Sequence, residues 1–176
     1  MPHRIELRRA DITTLTVDAI VSASNPSLVP GGTVSAAVHR VAGPELLAAC
    51  MKHPGLHAGD AVLTPGFGLP ATYVIHAVGP SWWPGKVPEA DKLSRVYRKT
   101  FALIAEHQIR TVAFSAISCG VYAYPLEEAA SIAIGETVSA LRGGLEVEKV
   151  IFALFAENVY AAFESALTDA VGATSQ

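Results

Sequence analysis

The sequence predicts a three-layer α/β domain. Short apolar segments rich in Val, Ile and Phe end at turn residues, and they alternate along the chain with stretches of helical periodicity. A third observation supports this: two of the apolar segments run directly into glycine-containing loops, and each of these loops leads into a helix.

In chain order, IELRR is a strand candidate near the start, and DAIVSAS is the first clear buried strand. Helical patterns begin near Thr33 and again near Pro44. YVIHAVG is the next strand. PSWWPGKVPEAD follows, where Pro80, Pro84 and Pro88 around Gly85 rule out a regular element and predict a surface loop. Trp82 and Trp83 either pack that loop onto the body or cover a ligand. LSRVYRKTFALIAEHQ is amphipathic, with Val96, Tyr97, Thr100, Phe101 and Ile104 on one side and Arg95, Lys99 and Glu106 on the other. TVAFSAI, a helix near Leu126, KVIFALF and the helix NVYAAFESALTDAV complete the series, the last with Val159, Phe163, Ala166 and Ala170 along one stripe.

The chain has 176 residues, 51% of them hydrophobic, which suits one domain spanning 1–176 with one substantial core. A net charge of −3, from 13 Lys and Arg against 16 Asp and Glu, excludes the basic field that drives unspecific binding to nucleic acid. Any nucleic acid would have to be recognised locally. No cationic start with an apolar run and cleavage site is present, and no apolar stretch approaches the ~20 residues of a membrane helix. A soluble, cytoplasmic monomer is expected. Two cysteines are too few for a disulfide scaffold.

The chemistry is expected in SASNPSLVPGGTVSAAVHR. Gly31 and Gly32 lie at a strand-to-helix transition, where backbone N–H groups can approach an oxyanion and the helix presents its positive end. TVAFSAI followed by SCGVYAYP and LEEAASIAIGETVSAL repeats the arrangement. Two such loops beyond the carboxyl ends of strands could close on one pyrophosphate from opposite sides. Neither G-x-x-x-x-G-K-[ST] nor G-x-G-x-x-G occurs, so an NTPase or dinucleotide motif is excluded, and no cofactor is expected. Cys119 lacks the arginine of a phosphate-cleaving cysteine, because Pro125 stands in its place, and Ser118 in AISCG lacks a hydrolase elbow. Cys50, His53 and His57 have a spacing that could recruit zinc, but Pro54 and Gly55 read as an ordinary helix end, and no metal is expected.

RADITTLTVDAIVSASNPSL, GGTVSAAVHRVAGPELLAAC, GDAVLTPGFGLPATYVIHAVGP and VAFSAISCGVYAYPLEEAA follow one another over nearly the whole chain. In this order they resemble the macrodomains, a family that binds ADP-ribose, and within it the bacterial O-acetyl-ADP-ribose deacetylases and protein ADP-ribosyl hydrolases. The resemblance implies a mixed sheet between helices. It also implies Asp11 at the adenine amino group with the Ile12 backbone assisting, although Asp11 also reads as the cap of a turn at ITTL. Asn25 would contact the distal ribose, or else form an Asx turn before Pro26. Gly31, Gly32, Thr33, Val34 and Ser35 would hold one side of the diphosphate, and Ser118, Cys119, Gly120, Val121 and Tyr122 the other. Tyr122 would also flank the distal ribose. Phe155 would lie against adenine, or else pack in the core. The implied partners are ADP-ribose and ADP-ribosylated protein, with ADP-ribosylated nucleic acid as a further candidate.

The sequence departs from this pattern at one point of consequence. Hydrolytic relatives carry N-A-A-N and then G-G-G-G-V-D-G, whose aspartate is assigned to water activation. Here the matching stretches are SASN and PGGTVSA, so Ser22 replaces the first asparagine and Ser35 the aspartate. A serine hydroxyl without a base beside it is no general base near neutral pH. Turnover would then need a water held by the substrate's own phosphate, with Asn25 and Gly120 as positioning residues. The alternative is a reader that binds ADP-ribose without cleaving it. His39, one turn after Ser35, reads as structural on an otherwise apolar helix.

Overall fold

The computed structural model describes residues 2–173. Among them six strands form one mixed sheet: β1 (Ile5–Arg8), β2 (Ala19–Ala23), β3 (Ala61–Pro65), β4 (Tyr73–Ala77), β5 (Thr111–Phe114) and β6 (Lys149–Ala153). The spatial order is β1-β6-β5-β2-β4-β3, parallel throughout except for β3, which runs antiparallel to β4. Five helices accompany it: α1 (Gly32–Ala42), α2 (Pro44–Cys50), α3 (Ala90–Glu106), α4 (Leu126–Arg142) and α5 (Glu157–Gly172). None of them is long and apolar enough to cross a membrane.

The layers follow from alternation along the strands, whose side chains point to opposite faces. Ala19, Val21, Ile75, Ala77, Val112, Phe114, Val150 and Phe152 face a core built with α3, α4 and α5. The intervening Ile20, Val74, Ala113 and Ile151 face a second core with Val38 and Ala42 of α1 and Leu46 and Cys50 of α2. On α3, Leu93, Val96, Tyr97, Thr100, Phe101 and Ile104 are all buried, the stripe that the periodicity predicts. Across the larger core, Phe114 lies with ring centroids 5.4 Å from Phe101 and 5.3 Å from Phe152, which in turn is 5.2 Å from Phe163. Edge and tilted contacts of this kind add to the burial of large apolar rings and tie α3 and α5 to the sheet.

Two features differ from the sequence reading. TVAFSAI yields only four ladder residues, because the Ser115 hydroxyl ends the pairing: it donates to the Val21 carbonyl at 2.8 Å and accepts from the Ala23 amide at 3.0 Å. AVLTP forms the edge strand β3, which the apolar-run criterion did not single out. Four of its five residues are partly exposed or exposed, and its pairing with β4 supplies the structure that its own pattern lacks.

Candidate functional site

In a sheet with five parallel strands, the loops leaving their carboxyl ends collect on one edge. Here that edge gathers the segments after β1, β2, β4, β5 and β6, which carry every residue singled out for binding.

The β2–α1 loop is internally braced. The Asn25 amide donates to the Val29 carbonyl at 2.9 Å, its oxygen accepts from Ser27 Oγ at 3.0 Å, and the Leu28 amide bonds the Asn25 carbonyl. Asn25 thus braces its own loop, but through the Ser27 hydroxyl and the Val29 carbonyl and not through the backbone N–H bond of an Asx turn. Leu28, in the left-handed region at φ 58°, is buried as a plug, and His39 of α1 hydrogen-bonds its backbone. The role read for His39 is structural, as expected. A Cβ on Gly31 would stand 2.9 Å from the Asn25 amide nitrogen, so a side chain there would displace the Asn25 amide from its bond to Val29. Helix α1 then starts without a side-chain cap, so the exposed Gly32 and Thr33 stand where backbone N–H groups lack intrahelical partners. Val34 is half-buried, and Ser35 is buried behind them.

The β5–α4 loop uses a different device. Ser118 (φ 66°) and Ala123 (φ 52°) both adopt left-handed backbone, and Tyr124 N bonds Ser118 O at 2.9 Å. Gly120 and Val121 are exposed, Cys119 and Tyr122 half-buried, and Ser118 buried. Left-handed backbone at both ends, with the Ala123 amide donating to the Gly120 carbonyl at 2.9 Å, folds the loop back on itself. The two loops meet at their tips: a Cβ on Gly32 would lie 3.7 Å from a methyl of Val121. They are thus not two copies of one motif. Glu127 and Glu128 occupy the first turn of α4 and make that helix end unsuited to an anion.

Farther along the edge, Asp11 caps the 3₁₀ turn Ile12–Thr14, and its Oδ1 accepts from Thr13 Oγ1 at 2.7 Å and Thr13 N at 2.9 Å. These bonds, the hydroxyl first, hold its carboxyl below the usual range, while the residue stays exposed and can still accept a bond. Ile12 is buried beneath it. Phe155 follows β6 and is 81% exposed, which overturns the core-packing alternative. Near it in sequence, Tyr160 of α5 lies under the Arg9 guanidinium at 5.1 Å.

The β4–α3 loop, read from the sequence through Trp82 and Trp83 alone, also joins this edge at Gly79, which sequence reasoning missed. The Trp82 amide donates to the Tyr122 carbonyl at 2.8 Å, and a Cβ on Gly79 would stand 2.2 Å from Ser118 Oγ. The Gly-Pro pair after YVIHAV was the available signal. The Trp82 indole is partly buried against the larger core and donates to Lys86 O, which meets the packing reading; Trp83 is exposed with Lys86 Nζ 4.3 Å above its ring.

Burial pushes the Cys119 thiol up to about 12, so it stays protonated and is no nucleophile near neutral pH. Cys50 and His57 do not converge: Cys50 is buried against His76, and His57 is exposed beside Asp60. Among the described residues no cluster of three or more His, Cys, Asp or Glu is arranged to hold a metal ion.

A family model described as Macro domain matches residues 21–133. A macro domain-containing protein of Chlorobaculum tepidum is 49% identical over 169 residues, covering 95% of this chain and 98% of its own length. A Klebsiella pneumoniae protein named O-acetyl-ADP-ribose deacetylase is 46% identical over 166 residues, covering 92% of this chain and 95% of its own. Among solved structures, the Oceanobacillus iheyensis macrodomain with ADP matches at TM-score 0.89 and 35% identity, over 96% of this chain and 92% of that one. The Trypanosoma brucei macrodomain in complex with ADP-ribose matches at TM-score 0.85 and 40% identity, over 93% and 69%.

Proposed function

Because the chain belongs to the macro domain family, we propose that it binds ADP-ribose along the carboxyl edge of the sheet and hydrolyses conjugates of it. The observation that carries the reading is the meeting of the β2–α1 and β5–α4 loops at Gly32 and Val121, on the sheet edge where Asp11 and the exposed Phe155 follow strands β1 and β6. In this reading the diphosphate lies under the two loop tips, held from one side by Gly31, Gly32, Thr33, Val34 and Ser35 and from the other by Ser118, Cys119, Gly120, Val121 and Tyr122. Adenine stacks on Phe155 and bonds Asp11 and the Ile12 backbone. The distal ribose reaches Asn25 and Tyr122.

The chemistry asked of the protein is orientation. Ser35 is buried and carries no carboxylate, His39 is engaged with the loop it supports, and Cys119 is a neutral thiol. The water that attacks is therefore held by the substrate's phosphate, with Asn25 and Gly120 fixing the ribose and excluding solvent. Alignment of this kind supplies several kcal/mol, about 7 to 11 in the best intramolecular cases. The conjugate is an acetyl ester, a modified protein side chain or a modified nucleobase.

A second reading, a reader of ADP-ribose that turns nothing over, is favoured by Ser35 alone. Calorimetry with ADP-ribose, AMP and NAD, together with turnover across acetyl, aspartyl or glutamyl, seryl, arginyl and nucleobase conjugates, separates the two. ADP-ribose should bind one-to-one and much more tightly than AMP or NAD. Equal affinity for AMP would remove the diphosphate grip, and binding without any turnover would leave the reader.

A further inference from the structure

The β4–α3 loop holds the β5–α4 loop at two points. At the base, Gly79 sits so close beneath Ser118 that a Cβ would stand 2.2 Å from Ser118 Oγ and 2.7 Å from Ile117 Cγ2. At the crown, the Trp82 amide bonds the Tyr122 carbonyl at 2.8 Å. Ser118 itself combines three costly features. Its backbone is left-handed at φ 66°, its residue exposure is 3%, and its hydroxyl has no hydrogen-bond partner. A left-handed non-glycine residue and an unsatisfied buried hydroxyl are each costly, and they persist where the surroundings over-determine them. With no solvent to turn into, that hydroxyl is wedged against the bare face of Gly79.

We infer that Gly79 is a positioning residue of the diphosphate site: by lacking a side chain it lets Ser118 seat in its left-handed conformation, which aims the backbone of residues 119–122. This rests on the reading of the site as one for ADP-ribose. Gly79 touches no ligand. It acts through Ser118, and Trp82 fixes the far end of the same loop. A methyl group at 79 forces Ser118 outward and rotates the amides that follow it.

The test is a double-mutant cycle. Gly79→Ala should weaken ADP-ribose binding by about tenfold or more, the loss expected when a charge-assisted backbone contact is misdirected. Adding Ser118→Ala removes the nearest atom of the clash and leaves the Ser118 Cβ at 3.4 Å, an ordinary contact, while Ile117 Cγ2 at 2.7 Å must still give, so the relief is partial. Gly79→Ala should then cost at least about threefold less affinity in the Ser118→Ala background than in the unaltered protein. A generic loss of packing would not be relieved by deleting a second group. Wild-type affinity in a folded Gly79→Ala protein overturns the inference, and so does a loss that Ser118→Ala fails to relieve. If Gly79→Ala does not fold, Ser118→Thr enlarges the same contact from the other side; it must weaken binding, and unchanged affinity overturns the inference. Should the unaltered protein not bind ADP-ribose, the functional reading fails separately. Amide hydrogen exchange at residues 119–122 then decides: altered protection in Gly79→Ala supports the seating, and unaltered protection overturns it.

Discussion

Nε2 of His76 stands 2.9 Å from Oγ1 of Thr64, with both side chains buried between the sheet and helices α1 and α2. The same hydroxyl lies 3.1 Å from the Pro65 carbonyl, and the imidazole tautomer sets which of the two it donates to. Cys50 Sγ lies 3.7 Å from the same nitrogen. Burial, with His39 and His53 opposing a further positive charge, lowers the His76 pKa to about 3.

A pH dependence of stability follows. The neutral imidazole is the native form, and the unfolded chain takes up its proton at about pH 6.5. The stabilisation is therefore complete above that pH and is lost as pH falls from about 6.5 towards the native pKa near 3. The slope is about 1.4 kcal/mol per pH unit for one such group. His39, whose pKa burial also lowers, adds to the upper part of the window. Urea unfolding at pH 7 and pH 5 should show the fall, and His76→Gln should flatten it even if stability at pH 7 is reduced.

Asp11→Ala should weaken ADP-ribose binding by about 1 to 3 kcal/mol through loss of a charge-assisted bond to adenine. Its cap on Thr13 is lost as well, which costs about 0.5–2 kcal/mol of stability. Asp11→Asn keeps an oxygen to cap the turn while removing the charge, so calorimetry on both variants separates binding from stability. Unchanged affinity in both would sink the adenine assignment.

Phe155→Ala should leave thermal unfolding within about 0.5 kcal/mol of the unaltered protein, since an 81% exposed ring contributes little packing. Affinity for ADP-ribose and for AMP should fall together, by about 1–3 kcal/mol for a lost aromatic–base stack. A large drop in stability without loss of affinity would return Phe155 to a structural role.

Ser35→Ala should retain most turnover, whereas Asn25→Ala should lower it, both by removing the ribose contact and by unbracing the loop that its side chain spans from Val29 to Ser27. A large loss in Ser35→Ala at unchanged affinity would make the hydroxyl an active participant. Ser35→Asp restores the carboxylate of hydrolytic relatives at a position only 3% exposed, so the charge must reach the site or be desolvated. Gained turnover would locate the defect at this position; lost stability with no gain would show that the site has adapted to serine.

The sequence by itself determined the three-layer class and the alternation of strands and helices along the chain. Strand and helix segments were legible because burial on both faces of the parallel strands requires continuous apolar runs, and burial of one helix face requires a period of 3.6. The loops after β2 and β5 were legible through their glycines. Edge strand β3 was not, since its half-exposed residues carry no strong pattern and its order comes from pairing with β4. The tertiary structure alone decided the rest. It set Phe155 in solvent although it ends an apolar run, because the sheet stops at Ala153 and no helix covers the residue beyond Leu154. It brought Gly79 under Ser118 and Gly32 to Val121 across 39 and 89 residues of chain. Such contacts arise from the sheet order β5-β2-β4, which places loops distant in sequence side by side at one edge, and no local pattern encodes that order.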